Sequence, residues 1–393
     1  MKTRVVTIVF LTIFLDLIGF GIIIPMLPLY VKTMGGSAQV VGFILSVFSF
    51  TQLLATPVLG KLSDRFGRRP IILISLAGNA ASMVIFALAT EARILPLLFV
   101  SRIIAGATAG NIASCQAAIA DVTTGEERAK GMGRVGAAIG LGMVLGPAAG
   151  SALAVLGPWG PPMGAAALAL GDLIAAFFLM PETRTAAPEP SQRDVSAAAT
   201  HEKGALAELL GEPRILLVFS LYFLMFLAMT NMQVALALLA KERFGWGEKE
   251  VGAGLSGFGA TSLVIQGVLI GRIVRVFRPV NVAVSGGLFM AAGLLAIGFS
   301  QSSLSMIVGI GCIALGMGVN GPVLSTMASD LAGEKRRGTV LGFAQSSGGL
   351  ARTVGPVLSG FLFTTFSSTA PFVGGAIAAV LMSTLALTLR RPA

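Results

Sequence analysis

Three ionisable side chains stand where charge is expensive. Asp16 interrupts the apolar run 5–30, Arg102 lies in Leu98-Phe-Val-Ser-Arg-Ile-Ile-Ala-Gly106, and Arg352 lies in Gly348-Gly-Leu-Ala-Arg-Thr-Val-Gly355. Asp172 is a fourth, close to one end of its run and so expected to be solvated. A charge at the centre of a bilayer-length helix costs at least about 2.5–3.5 kcal/mol, so each must face a cavity or a partner. The chemistry open to such groups is proton movement. In general, a carboxylate in a low-dielectric cavity keeps a proton that it would lose in water, and a nearby guanidinium favours release. Switching Asp16 between two such surroundings would load and unload a proton, with Arg102 as its tuning partner. Two plainer readings stay open: a neutral Asp16 bonded to backbone, and an Arg102 ion pair that is only structural.

Neutral hydrogen-bonding groups also stand inside apolar runs. They are Gln52, Asn111, Gln116, Asn231, Gln233, Asn320 and Gln345. Each can meet a small molecule in a cavity or bridge two helices. Arg352 is a further cavity candidate, and Met225, Phe226 and Met229 offer a pliable apolar wall. No nucleophile with a base, no nucleotide loop and no metal-ligand spacing is present, so neither an enzyme nor a metal or organic cofactor is expected. The two cysteines, Cys115 and Cys312, fall inside apolar runs, and the lone His201 falls in a polar stretch.

The elements that must position these residues follow from composition. The chain has 393 residues, of which 55% are hydrophobic and 12% charged. A soluble protein is about 25% charged. Apolar runs of more than 18 residues without alternation exclude a β-barrel and predict an all-α membrane protein. Twelve spans are predicted, at 5–30, 40–59, 70–90, 94–120, 132–156, 162–180, 214–240, 250–271, 279–300, 304–329, 338–362 and 370–389. The first is too long for a cleaved leader. Of 28 Lys and Arg, 21 fall on one side of this topology, five on the other, and Arg102 and Arg352 within spans. That bias predicts cytoplasmic termini and explains the net charge of +10 without nucleic acid. The polar stretch 181–213 reads as a cytoplasmic linker between halves 1–180 and 214–393.

The two halves repeat. Asp121, Arg128, Gly133, Gly140, Gly146-Pro147 and Asn111 recur 209 residues later as Asp330, Arg337, Gly342, Gly349, Gly355-Pro356 and Asn320, as Pro70 does in Pro279. Parallel six-helix repeats imply a pseudo-two-fold axis along the membrane normal, with a site between the halves near the midplane.

Between spans 2 and 3 lies Gly60-Lys-Leu-Ser-Asp-Arg-Phe-Gly-Arg-Arg69. It resembles the signature of the major facilitator superfamily. Its second-half counterpart, Gly271-Arg-Ile-Val-Arg-Val-Phe-Arg-Pro279, has no Asp. The resemblance implies a cytoplasmic gate built from Gly60, Asp64, Arg65, Gly67, Arg68, Arg69 and Asp121. In it Asp64 contacts the start of span 11, and Arg68 or Arg69 pairs with Asp121, locking the outward-open state. Leu15-Asp-Leu-Ile-Gly-Phe-Gly-Ile-Ile-Ile-Pro-Met-Leu-Pro28 resembles the span 1 pattern of twelve-span drug/proton antiporters, and R-x-x-x-G at Arg102 resembles a motif tied to proton coupling. Span 5 carries Gly142, Gly146, Pro147 and Gly150, similar to the antiporter motif that marks exporters. Tight helix packing is its plainer reading.

These matches, with Ala120-Asp-Val-Thr-Thr-Gly-Glu-Glu-Arg128, cover the chain and look like the tetracycline-resistance subgroup. The resemblance implies a monomeric, multi-pass transporter of the bacterial inner membrane. It would export small amphipathic molecules in exchange for protons, with the proton gradient as energy source and the lipid bilayer and substrate as partners. Tetracycline exporters carry carboxylates in spans 3 and 9, whereas span 3 here reads Ser75-Leu-Ala-Gly-Asn-Ala-Ala-Ser-Met83 and span 9 has no acid. Export of a metabolite or siderophore, or a scaffold or sensor role on the same fold, are the rival readings.

Overall fold

A computed structural model describes residues 2–184 and 211–389. Most of the expected linker, and His201, lie outside the described residues. Among the described residues the chain is α-helical with no strand, and eleven helices are long and apolar enough to cross a membrane. They are α1 (Lys2–Thr33), α2 (Ala38–Phe66), α3 (Arg68–Ala92), α4 (Leu95–Val122), α5 (Gly125–Leu156), α6 (Gly160–Leu179), α7 (Pro213–Phe244), α8 (Glu248–Val276), α9 (Pro279–Gly298), α10 (Ser303–Gly333) and, after α11 (334–365), α12 (Ala370–Leu387). Helices α10 and α11 meet at Gly333, whose φ of 65° breaks the helical course.

Apolar runs in lipid must satisfy their backbone internally, which leaves helix as the only open-chain solution. Helix starts carry the expected chemistry. The Ser37 hydroxyl accepts from the Val40 N–H at 3.4 Å, and the Glu250 carboxylate accepts from the Gly247 N–H at 2.9 Å. Prolines open α4, α6, α7, α9 and α12, where their missing donor has no partner to lose. The charged hairpin is tighter than its sequence suggests. Helix α2 runs on to Phe66 and α3 starts at Arg68, so Gly67 alone makes the turn, with φ 102°.

Two helices are irregular. Helix α4 is interrupted by a turn after Ala107 and resumes at Asn111, and α8 contains a π turn at Ile265–Leu269. The α4 break includes Thr108 and Ala109, which line the central cavity. Irregular backbone at membrane depth is tolerated in such places, where polar groups can be solvated.

The sequence repeat has a packing counterpart. Helix α5 packs on α1, and α11 packs on α7. Gly146 meets Gly21 of α1 backbone to backbone, and Gly355 meets Thr230 of α7. The Gly-Pro pairs then face across the halves. The Pro147 carbonyl packs against Gly252 of α8, and the Pro356 carbonyl against Gly42 of α2. Further out, Gly360 lies on the Ala38 carbonyl, and Ser151 donates to the Glu248 carbonyl at 3.3 Å. These cross-half contacts are on the side away from the chain termini. On the side of the termini, Gly60, Gly133, Gly271, Gly338 and Gly342 have open space where a Cβ would stand.

Candidate functional site

A cavity of about 500 Å³ lies between the halves. Helices α1, α2, α3, α4 and α5 line one wall, and α7, α10 and α11 the other. Asp16, Gln52, Asn111, Gln233, Gln345, Arg102 and Arg352 all reach it. Phe226 and Met229 form part of its apolar wall, and Met225 does not: it is 1% exposed in the α7 core. Gln116 does not line the cavity either, and neither do Asn231 and Asn320. Asn231 donates to the Leu227 carbonyl at 2.9 Å, and Asn320 donates to Met290 Sδ at 3.8 Å while packing against Gly286. Both are helix-packing amides, 1% and 0% exposed.

Among the described residues, Asp16 is the one acid lining the cavity. Its Oδ1 accepts from Asn79 Nδ2 at 2.7 Å, and the Asn111 side chain is a second hydrogen-bond partner. Asn79 lies on α3, in the segment Ser75–Met83 that carries no acid, so a neutral amide of span 3 holds Asp16. The glycines of α5 bring this region together. A Cβ at Gly142 would lie 2.5 Å from Leu17 Cβ, and one at Gly146 would lie 2.7 Å from Gly21 Cα. Gly150 packs on the Ile22 backbone. The span 5 motif therefore presses α5 onto the part of α1 that carries Asp16. Packing of this kind needs small residues on both helices.

Arg102 and Asp16 share the cavity without forming an ion pair. The Arg102 guanidinium reaches Ser101 Oγ at 3.1 Å and Ser82 Oγ at 3.4 Å, and lies 5.0 Å from the centre of the Phe86 ring. Its Nε is buried with no partner among the described residues. Arg352 stands on the other wall, 4.5 Å from the Phe226 ring centre.

Asp172 is not solvated. It is 2% exposed, two turns inside the end of α6, and its Oδ1 accepts from Thr12 of α1 at 3.0 Å. Its Oδ2 has no partner among the described residues. Counting residues to the end of the span misplaces it, because α1 covers that face of α6.

The charged turn is held by acids from two other helix ends. Arg68 Nε donates to Asp121 Oδ2 at 2.9 Å and its Nη1 to Asp64 Oδ1 at 2.6 Å. Arg69 donates to the Phe177 carbonyl at 2.6 Å, and Arg65 lies over Phe66. Among the described residues, Asp64 makes no hydrogen bond or ion pair with α11. Its side chain is 65% exposed, because the halves stand apart on this side. Glu182 is a member the sequence reading did not include. Its two oxygens accept from the Arg68 and Arg69 N–H groups at 2.9 and 3.1 Å, capping α3. A carboxylate is favoured at a helix N-terminus. A side chain at Gly67 would collide with it. The available signal was an acid placed three residues after the end of α6.

The chain matches the Major Facilitator Superfamily over residues 9–229 and again over 218–393. It is 30% identical over 372 residues to "Tetracycline resistance protein, class E" of Escherichia coli, covering 93% of this chain and 89% of that protein. It is 29% identical to "Multidrug resistance protein 2" of Bacillus subtilis, covering 89% of this chain and 86% of that protein. Among solved structures, the human organic anion transporter MFSD10 superposes with a TM-score of 0.69 at 28% identity, covering 98% of this chain and 99% of that one. A multi-pass helical protein, two halves that pack alike, a cavity between them and a match in each half lead to one conclusion: the chain is a transporter belonging to the Major Facilitator Superfamily.

Proposed function

We propose that this protein is a proton-coupled exporter of small amphipathic molecules in a bacterial inner membrane, working by alternating access. The observation that carries the reading is Asp16, among the described residues the one carboxylate on the wall of a cavity shared by both halves. Its partners are the neutral amides of Asn79 and Asn111, which can hydrogen-bond a carboxylate or a carboxylic acid alike. Small motions of α3 or α4 then shift the balance between the two forms. The apolar wall of Phe20, Phe48, Met143, Phe226 and Met229 suits an amphipathic solute.

The chain is closed on the side away from its termini, through Gly42, Gly252 and Gly360. With cytoplasmic termini, as the Lys/Arg bias favours, this is the conformation that receives substrate from the cytoplasm. Closing the other side would bring α11 toward Asp64, the partner expected of it in the outward-open state. The relatives named for tetracycline and multidrug resistance support export, and the lack of an acid in spans 3 and 9 argues for a substrate other than tetracycline.

The test is proton flux in proteoliposomes loaded with an acidic lumen and a pH-reporting dye. Ethidium, tetracycline and naphthalene-1-sulfonate serve as probes. At least one should raise lumenal pH with the unaltered protein and fail to do so with Asp16→Asn. Probe transport without proton movement would overturn the reading.

A further inference from the structure

The charges on the cavity wall do not cancel. Asp16 is opposed by two guanidinium groups, Arg102 and Arg352. Arg102 is 4% exposed and directs its donors at Ser82 and Ser101 within its own half. Arg352 differs. It lines the cavity and makes no hydrogen bond or ion pair with any described residue. Its one contact of note is the face of Phe226, 4.5 Å from the guanidinium carbon. A ring face steadies the cation but accepts none of its five N–H donors in the guanidinium plane. A guanidinium at membrane depth is tolerated when those donors meet water or an anion.

The surroundings give the donors one direction. Gln345, Gly349, Arg352 and Pro356 lie at helical spacing on one face of α11, and Gln345, Arg352 and Pro356 all reach the cavity. Gly349 between them carries no side chain, and the gap it leaves is closed by Leu53 of α2. The result is a guanidinium stacked on a ring, with a neutral amide two turns away and apolar wall around both.

We propose that Arg352 is an anion subsite, and that the transported class is amphipathic organic anions. Arg352 takes the oxyanion of a carboxylate or sulfonate, and the apolar body lies along Phe226 and Met229. Planar, paired N–H groups match two oxygens of such an acid and add geometric specificity to charge. The anion site is on the second half and Asp16 is on the first, so a bound anion and a proton occupy opposite walls of one cavity. This assignment rests on reading that cavity as the transport site.

Equilibrium binding to the purified protein tests it without any gradient. The probes are naphthalene-1-sulfonate, naphthalene-1-acetate, the neutral naphthalene-1-sulfonamide and the 1-naphthylmethylammonium cation. Both anions should bind at least about tenfold more tightly than the sulfonamide, with the cation weakest. Arg352→Gln should abolish the preference for anions over the sulfonamide, and Arg352→Lys should retain part of it. Equal binding of anions and sulfonamide by the unaltered protein, a comparison that needs no variant, would overturn the proposal. So would an undiminished preference in Arg352→Gln. Anion binding without proton-coupled transport would remove the exporter reading and leave this subsite standing. Proton-coupled export of ethidium with no anion preference would do the reverse.

Discussion

Thr12 donates a 3.0 Å hydrogen bond to Asp172, tying α1 to α6 one helical turn before Asp16. Asp172 has no other partner among the described residues and is 2% exposed. Replacing Thr12 by Val keeps the shape and removes the donor. Leaving a buried polar group unsatisfied costs about 1–3 kcal/mol. Thr12→Val should therefore lower Tm by several degrees, whereas Thr12→Ser should restore it. Because the bond also fixes the register of α1, Thr12→Val should slow transport more than it lowers the amount of folded protein. A comparison of Tm with specific activity checks both parts.

Gly146 and Gly21 allow α5 and α1 to touch along their backbones. A methyl at Gly146 would stand 2.7 Å from Gly21 Cα, with no flexible side chain there to give way. Overpacking of this kind costs typically about 1–3 kcal/mol. Gly146→Ala should lower Tm, and Gly146→Val more so. Gly136 has open space around its Cβ position, so Gly136→Ala should leave Tm unchanged. Thermal unfolding of the three variants in one detergent tests the ranking.

The turn at Gly67 should behave as one coupled unit. Arg68 bridges Asp64 and Asp121, and Glu182 caps the helix that Arg68 begins. A double-mutant cycle on Arg68→Gln and Asp121→Asn should give a coupling of about 0.5–3 kcal/mol. Glu182→Gln removes a charge from a helix N-terminus and should cost about 0.3–1 kcal/mol, less at high salt. Strict additivity in the cycle would show that the pair is formed without energetic consequence.

Gly42 and Gly252 seal the side of the cavity away from the termini. Bulk at either should hold the halves apart there. In Gly42→Leu and Gly252→Leu, a cysteine introduced at Gln52 should react with a membrane-impermeant maleimide added from that side. It should be protected from that side in the parent. Equal labelling in parent and variants would mean that these glycines are not the seal.

The spans and the repeat were legible because length, apolarity and a fixed offset survive in one dimension. Asp16, Arg102 and Arg352 were legible because charge in a bilayer-length run is costly wherever it points. Which amides face the cavity was not. Asn111 and Gln233 reach it, whereas Asn231 and Asn320 lie between helices. A helix that is apolar all round carries no polar stripe to fix its rotation, so facing is decided by packing partners. Asn79 reaches the cavity too, and nothing in its apolar run marks that face of α3. Asp172 was misplaced because its depth was read along α6 alone, without α1. Glu182 lies beyond its span, where sequence offers charge but not the distant helix end it caps.

The central claim is that Asp16 couples proton movement to substrate movement through this cavity. The most direct measurement compares two modes of transport by Asp16→Asn in proteoliposomes, with a labelled probe that the unaltered protein carries. Exchange of labelled for unlabelled probe needs no net proton transfer, whereas accumulation driven by an acidic lumen does. The account predicts that Asp16→Asn keeps exchange and loses gradient-driven accumulation down to the level seen without a gradient. Accumulation by Asp16→Asn at the level of the unaltered protein would contradict it.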